Sequence, residues 1–196
     1  MKQKHSQYPL NFSGKNFNEA QKIIDELHKI PRTGWINHDV KNPESVGEHT
    51  DKLIALAEKY FNIPGLSKML RIHDWPESDP KIGDRRTDRF CPKRFRWTKE
   101  RKYKAELKAM RRICLSLGED GDEILNLWLE FEEGKTHRAK IAKELDKIQA
   151  IQKAVEYQKQ GESVIAQEFI SNSEGEITSL IVLQLLIEAK RELKNI

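Results

Sequence analysis

The chain has 196 residues, 35 Lys and Arg against 31 Asp and Glu, and a formal net charge of +4, too small an excess to mark a polyanion-binding protein by charge alone. A hydrophobic fraction of 37% can fill one helical core, and a charged fraction of 34% implies long solvated helix faces. Length points to one domain, and no run approaches the ~18 apolar residues of a membrane span.

The N-terminus, Met1-Lys2-Gln3-Lys4-His5, has no apolar segment after its charges, so no secretory signal is visible. Cys91 and Cys114 form no CxxC motif; they fit a reducing compartment with both thiols free, and a cytoplasmic location is expected. The chain reads as all-α. Helices are expected near 17–29, 43–60, 65–75, 98–117, 120–133, 136–158, 162–170 and 176–193, with breaks at Pro31, Pro64, Pro80 and Pro92. The expected organisation is an arm and first helix over 1–30, a core over 31–158 and a helical extension over 159–196.

In the helix expected over 43–60, Asn42 can cap, Pro43 suits the first helical position and Glu44 suits the dipole. Val46, His49, Leu53, Leu56, Ala57 and Tyr60 share one face, and His49 is its polar member. A lone histidine on such a face is either a satisfied core residue or a ligand. The next helix decides between them. Leu66, Met69, Leu70, His73, Asp74 and Glu77 follow an i, i+3, i+4, i+7 rhythm, so an apolar face ends in three ionisable groups. Burying such groups costs several kcal/mol unless they are paired or bound to metal. Imidazole and carboxylate together suit a divalent transition metal. Pro76 can end the helix near Trp75 and take Glu77 out of strict phase.

The segment from Asp79 to Arg101 interleaves Lys81, Arg85, Arg86, Arg89, Lys93, Arg94, Arg96, Lys99 and Arg101 with Phe90, Phe95 and Trp97. It can be a solvated loop, a trap for one phosphorylated metabolite or a grip on nucleic acid. On the helix over 136–158, Ala139, Ala142, Asp146 and Ala150 form a small-residue row whose carboxylate is Asp146. In the last helix, Ile177, Leu180, Ile181, Leu183, Leu185, Leu186 and Ile187 nearly encircle the axis, which suits either intrachain packing or a subunit interface.

Read in order, Pro31-Arg32-Thr33-Gly34-Trp35, Glu44-Ser45-Val46-Gly47-Glu48-His49, His73-Asp74-Trp75-Pro76-Glu77, Gly83-Asp84, Trp128-Leu129-Glu130-Phe131-Glu132 and Glu144-Leu145-Asp146-Lys147 form a series over roughly Pro31 to Tyr157. This series resembles the HD-domain superfamily of metal-dependent phosphohydrolases, and within it the 5′-deoxynucleotidase branch. The resemblance implies an HD-domain helical bundle in which His49, His73, Asp74 and Asp146 hold one divalent transition metal (Mn, Co, Zn, Fe or Ni). It implies Glu77 and Asp84 as catalytic residues, with Asp79 as the fallback for Asp84 because Ser78 to Ile82 lengthens the usual spacer. It implies that Arg32 binds the substrate phosphate, that Trp35 packs on its sugar, and that the protein is a homodimer. Glu48 reads as surface or as a support of His49, and Trp128 and Phe131 as core.

The expected activity is hydrolysis of a (deoxy)nucleoside 5′-monophosphate to nucleoside and phosphate. The alternatives are a phosphodiesterase or nuclease on the same scaffold, suggested by the basic segment, and a non-catalytic nucleotide sensor that keeps the metal.

Overall fold

The computed structural model describes residue 12 and residues 14–87, 93–94 and 96–196. The arm before Phe12, with Arg89, Phe90, Cys91 and Phe95 of the basic segment, lies outside the described residues. Among the described residues the chain is helical with no strands: α1 Gly14–Leu27, α2 Thr33–Ile36, α3 Val46–Tyr60, α4 Leu66–Ile72, α5 Lys99–Ser116, α6 Glu119–Glu133, α7 His137–Lys159, α8 Ala166–Ser173 and α9 Leu180–Lys194. Two 3-10 turns, Trp75–Ser78 and Glu174–Glu176, join α4 to the basic segment and α8 to α9. No helix among these is long and apolar enough to cross a membrane.

Helix α7 is the axis of the bundle. It packs against α3, α4, α6, α8 and α9. Ala139, Ile141, Ala142, Leu145, Ile148, Ile151, Ala154 and Val155 are all buried, so more than one of its faces is covered, as expected of a central helix. Small residues let its neighbours approach. Leu53 of α3 and Met69 and Leu70 of α4 lose all solvent contact, each worth about 1.5–3 kcal/mol of apolar burial. One contiguous core runs from Ala20 to Ala189 and makes a single domain. On α9, Val182, Leu185, Leu186 and Ala189 join that core, whereas Leu180, Ile181 and Ile187 stay exposed.

Local chemistry sets the helix ends. The side chain of Ser45 accepts from Glu48 N and that of Glu48 accepts from Ser45 N, a capping box that starts α3 at Val46. The start expected at Asn42-Pro43 is therefore displaced by three residues. The reason is Glu44, which turns inward and is buried rather than serving the helix dipole. Thr98 and Thr136 cap α5 and α7 through their hydroxyls. Gly134, at φ 64°, takes the left-handed conformation that closes α6. Helix α4 stops at Ile72, earlier than periodicity suggests, and a 3-10 turn containing Pro76 follows. His73 and Asp74 thus stand at the junction of two elements, and Glu77 leaves the helical phase of α4. Proline, which cannot donate in a helical ladder, is the physical cause. The expected helix over 162–170 begins only at Ala166, and the last helix only at Leu180.

Candidate active site

Helix α3, the end of α4 and helix α7 bring His49, His73 and Asp146 together, each able to offer one ligand atom, all within 4.8 Å of one another. Asp74 stands beside this trio, its Oδ2 at 3.0 Å from His73 Nε2.

Each imidazole is oriented from behind. His73 Nδ1 lies 2.6 Å from the Leu70 carbonyl, which can only accept, so Nδ1 carries the proton and Nε2 faces the site. The indole of Trp128 donates to the His73 carbonyl at 3.1 Å, and the Phe131 ring meets the imidazole edge-on. Trp128 and Phe131 are core residues that also fix the position of His73. His49 Nδ1 meets the side-chain oxygen of Gln149. The amide nitrogen of Gln149 donates to the Glu44 carboxylate at 3.1 Å, so its oxygen must accept from His49. Glu44 also accepts from Trp35 Nε1 at 3.1 Å and Lys52 Nζ at 2.9 Å. Burial opposes its charge, yet Lys52 and the other cations leave the carboxyl below its usual range. The resulting chain of hydrogen bonds gives His49 the tautomer of a metal ligand.

The donor set fits a metal. His49 Nε2 is buried, lies 3.0 Å from Asp146 Oδ1 and makes no hydrogen bond. A lone pair aimed at a carboxylate oxygen repels it, and a cation bound by both removes the repulsion. The carboxylates are suited to hold one. Burial pushes Asp74 up, but in their protonated form His73 and His49 bring it down to about 2, a positive charge that a bound cation would supply in their place. Asp146 is likewise held below its ordinary value, burial being outweighed by His49, Arg32 and His73.

Two lobes of a cleft meet at Asp146. One, of about 470 Å³, runs from His73 and Asp74 to Lys102, Glu106 and Lys143. The other, of about 540 Å³, holds Arg32, Trp35, His38, Arg86 and Phe169. Thr87, Asp146, Lys147 and Glu176 line both. Each volume lies in the range of small-molecule sites. The second lobe uses α8, so the C-terminal segment contributes to the cleft.

Arg32 stands at the N-cap position of α2 without capping it through its side chain, which points inward. Its Nη1 is buried with no hydrogen-bond partner. Burial works against its charge, and the carboxylates of Asp146, Asp84, Asp74 and Glu44 more than offset this. Trp35 is only 2% exposed; it stacks on Phe169 with ring centroids 5.0 Å apart and meets Tyr157 edge-on. It is at once a core anchor and part of the cleft lining. Asp84 Oδ2 accepts from Thr33 N at 2.6 Å and its carbonyl accepts from the Thr33 hydroxyl at 2.6 Å, tying the Gly83-Asp84 turn to the start of α2. Asp79 is paired with Arg112 and accepts from Lys81 N. Glu77 is buried and accepts from Lys102 Nζ at 3.0 Å. Burial, then Asp74, raises its carboxyl well above the ordinary value. Glu48 is an exposed capping residue.

Sequence reasoning missed Gln149, Lys102, Glu106 and the inward role of Glu44. Gln149 lies three residues beyond Asp146 on α7, so the same face carried a signal. Lys102 and Glu106 had none, because α5 returns to the site only after the basic segment.

A family model described as HD domain matches residues 24–182. A protein of Dictyostelium discoideum named 5′-deoxynucleotidase HDDC2 is 39% identical over 158 residues, 74% of this chain and 79% of that protein. The Schizosaccharomyces pombe 5′-deoxynucleotidase hdd1 is 31% identical over 156 residues, 74% of each chain. A solved structure of a conserved hypothetical protein from Pyrococcus furiosus superposes with a TM-score of 0.62 at 26% identity, covering 91% of this chain and 99% of that one.

Proposed function

This chain belongs to the HD domain family, and from that premise we propose that it is a metal-dependent phosphohydrolase that converts (deoxy)nucleoside 5′-monophosphates to nucleoside and phosphate. The similarity to 5′-deoxynucleotidases supports the substrate class. The observation that carries the reading is Arg32: a buried Nη1 without a partner, in the same cleft as His49, His73 and Asp146. A guanidinium so placed matches the oxygens of a phosphoryl group.

In this reading His49, His73, Asp74 and Asp146 would hold one divalent ion of the Mn, Fe, Co, Ni or Zn type. Such an ion, when bound, lowers the pKa of a coordinated water towards neutrality. Arg32 holds the phosphate between the two lobes and offsets its charge. Glu77 orients the attacking water and takes or relays its proton; a carboxyl of raised affinity for protons suits that task near neutral pH. For Asp84, expected as a catalytic residue, the two hydrogen bonds to Thr33 support a positioning role: it braces the start of α2, which carries Arg32 and Trp35. Phe169 and Trp35 give the nucleoside end an aromatic wall, and the close packing around Trp35 disfavours a bulky 2′ substituent there.

The test is a panel of ribo- and deoxyribonucleoside monophosphates, phosphodiesters and single-stranded oligonucleotides, assayed with each divalent ion. Phosphate release from the deoxyribonucleoside monophosphates above all others supports the reading. Preferential cleavage of diesters would replace it with the phosphodiesterase alternative, and tight binding of nucleotides without turnover with the sensor.

A further inference from the structure

Lys102 lies on α5, some way along the chain from every residue of the HD series, yet it lines the metal-side lobe with His73, Asp74 and Asp146. Its ammonium donates to Glu77 Oε1 at 3.0 Å and stands 3.3 Å from Glu106 Oε1, one helical turn on. All three groups are largely withdrawn from water: residue exposure is 4% for Glu77 and 9% for Glu106, and the Lys102 side chain is 24% exposed. A row of carboxylate, ammonium and carboxylate in such a place is poor value as a stabilising device, because desolvating the ions costs about what their attraction returns. It is well suited to fixing geometry. Glu77 sits in a four-residue 3-10 turn, where its backbone is held by a bond to the Asp74 carbonyl at 2.9 Å while its side chain keeps three rotatable bonds. Lys102 limits that freedom from one side. Glu106, at i+4, limits the freedom of Lys102, whose long stem would otherwise wander. Helix α5 packs directly on the 3-10 turn and gives both a rigid base.

We propose that Lys102 is a positioning residue: its ammonium, steadied by Glu106, holds the Glu77 carboxylate in the orientation that acts on the attacking water. The proposal rests on the role given to Glu77 above. It concerns a residue that the ordered motifs do not contain, and it explains why a lysine is buried against two acids at this edge of the cleft.

A double-mutant cycle tests it, on the full chain loaded with metal and using a deoxyribonucleoside monophosphate that the wild type hydrolyses. Lys102→Met removes the ammonium. Because it leaves two acids unpaired and can fail to fold, Lys102→Gln/Glu106→Gln is made beside it; that pair of changes removes one cation and one acid together. Bound metal and thermal midpoint are measured for each. The expected result is a fall in kcat of about 10²-fold, the scale of a misplaced reacting group, with KM and metal content near wild type and partial recovery in Lys102→Arg. In a Glu77→Ala background the same changes should add less than about twofold, since the group being positioned is gone. Undiminished kcat in Lys102→Gln/Glu106→Gln overturns the proposal. So does a loss confined to KM, or an equal further loss on top of Glu77→Ala, either of which places Lys102 on the substrate itself. Normal turnover by Glu77→Ala alone refutes the role of Glu77, and with it the premise, before any change at position 102 is considered.

Discussion

The Nδ1–H of His49 is received by the side-chain oxygen of Gln149, one turn beyond Asp146 on the same helix. Helix α7 therefore supplies both the carboxylate of the His49–His73–Asp146 cluster and the group that orients an opposing histidine. Gln149 is in turn held by Glu44, and Glu44 by Trp35 and Lys52. Replacing Gln149 with Leu should leave His49 in place but free its tautomer. Metal affinity should fall by about 10–100-fold, the usual cost of losing such a support, read by competition with a chelating dye. Unchanged affinity would mean that the Glu44–Gln149 chain serves folding alone.

The ligands themselves should behave more severely. His73→Ala and Asp146→Ala are expected to purify without stoichiometric metal, measured by elemental analysis after dialysis, and to be inactive. Their helical circular dichroism should persist, because the core beneath them is apolar. Full metal retention in both variants would remove the His49–His73–Asp146 trio as the site.

Gly34 offers a way to move a charge without deleting it. A Cβ at this position would stand 2.1 Å from Arg86 Nη1, the far end of a flexible side chain. Gly34→Ala should therefore fold normally and displace the Arg86 guanidinium from the lobe it shares with Arg32. If that guanidinium helps hold the phosphate, KM should rise by about 10-fold, roughly 1.4 kcal/mol, with kcat little changed. An unaltered KM would show that Arg86 takes no part in binding.

The contact between His28, in the turn that follows α1, and Asp51 of α3 predicts a pH dependence of stability. His28 Nε2 lies 3.1 Å from Asp51 Oδ2, and this bond raises the imidazole above its ordinary value although burial opposes it. A raised folded-state value means that the protonated form is the better bound one. The stabilisation is complete below the ordinary histidine value of about 6.5 and fades as pH rises through the folded-state value. Thermal midpoints of wild type and Asp51→Asn should differ most near pH 5.5, and the gap should narrow by pH 8.5 to what the contact of Asp51 with Arg71 at 4.0 Å contributes. Both side chains are over a third exposed, so salt should shrink the gap. A constant gap across this range would show that the pair contributes no proton-linked stability.

The basic segment separates a monoesterase from a nuclease. A groove that tracks single-stranded nucleic acid should show log affinity falling by about 0.7 per phosphate contact for each unit of log salt. Arg85 and Arg101 instead both lie over the ring of Trp97, with guanidinium carbons 5.5 and 4.3 Å from its centroid. We expect monophosphate hydrolysis with modest salt dependence and intact oligonucleotides over a salt series. Faster cutting of the oligonucleotide, with a steep slope that flattens in Arg85→Ala/Arg101→Ala, would favour the nuclease.

The helical class, the order of the main helices and the convergence of His49, His73 and Asp146 were legible in the amino-acid sequence, the helices from their periodicity and the convergence with the help of the ordered motifs. A period of 3.6 residues with His49 or Asp146 on an apolar or small face is a local property, and burying such groups is costly enough that their presence signals use. What the sequence left open depends on contacts between distant segments. Periodicity carried the helix of His73 to about residue 75, but α4 ends at Ile72, His73 and Asp74 stand in the junction that follows, and Glu77 lies in the 3-10 turn. The inward turn of Glu44 depends on Trp35, Lys52 and Gln149 arriving from three other places in the fold. The tautomers of both histidines follow from Leu70 and Gln149, and the carboxylate of Glu77 is held from α5 by Lys102. Only the packed tertiary structure decides these, because a hydrogen bond between residues a hundred positions apart leaves no periodic trace in the chain.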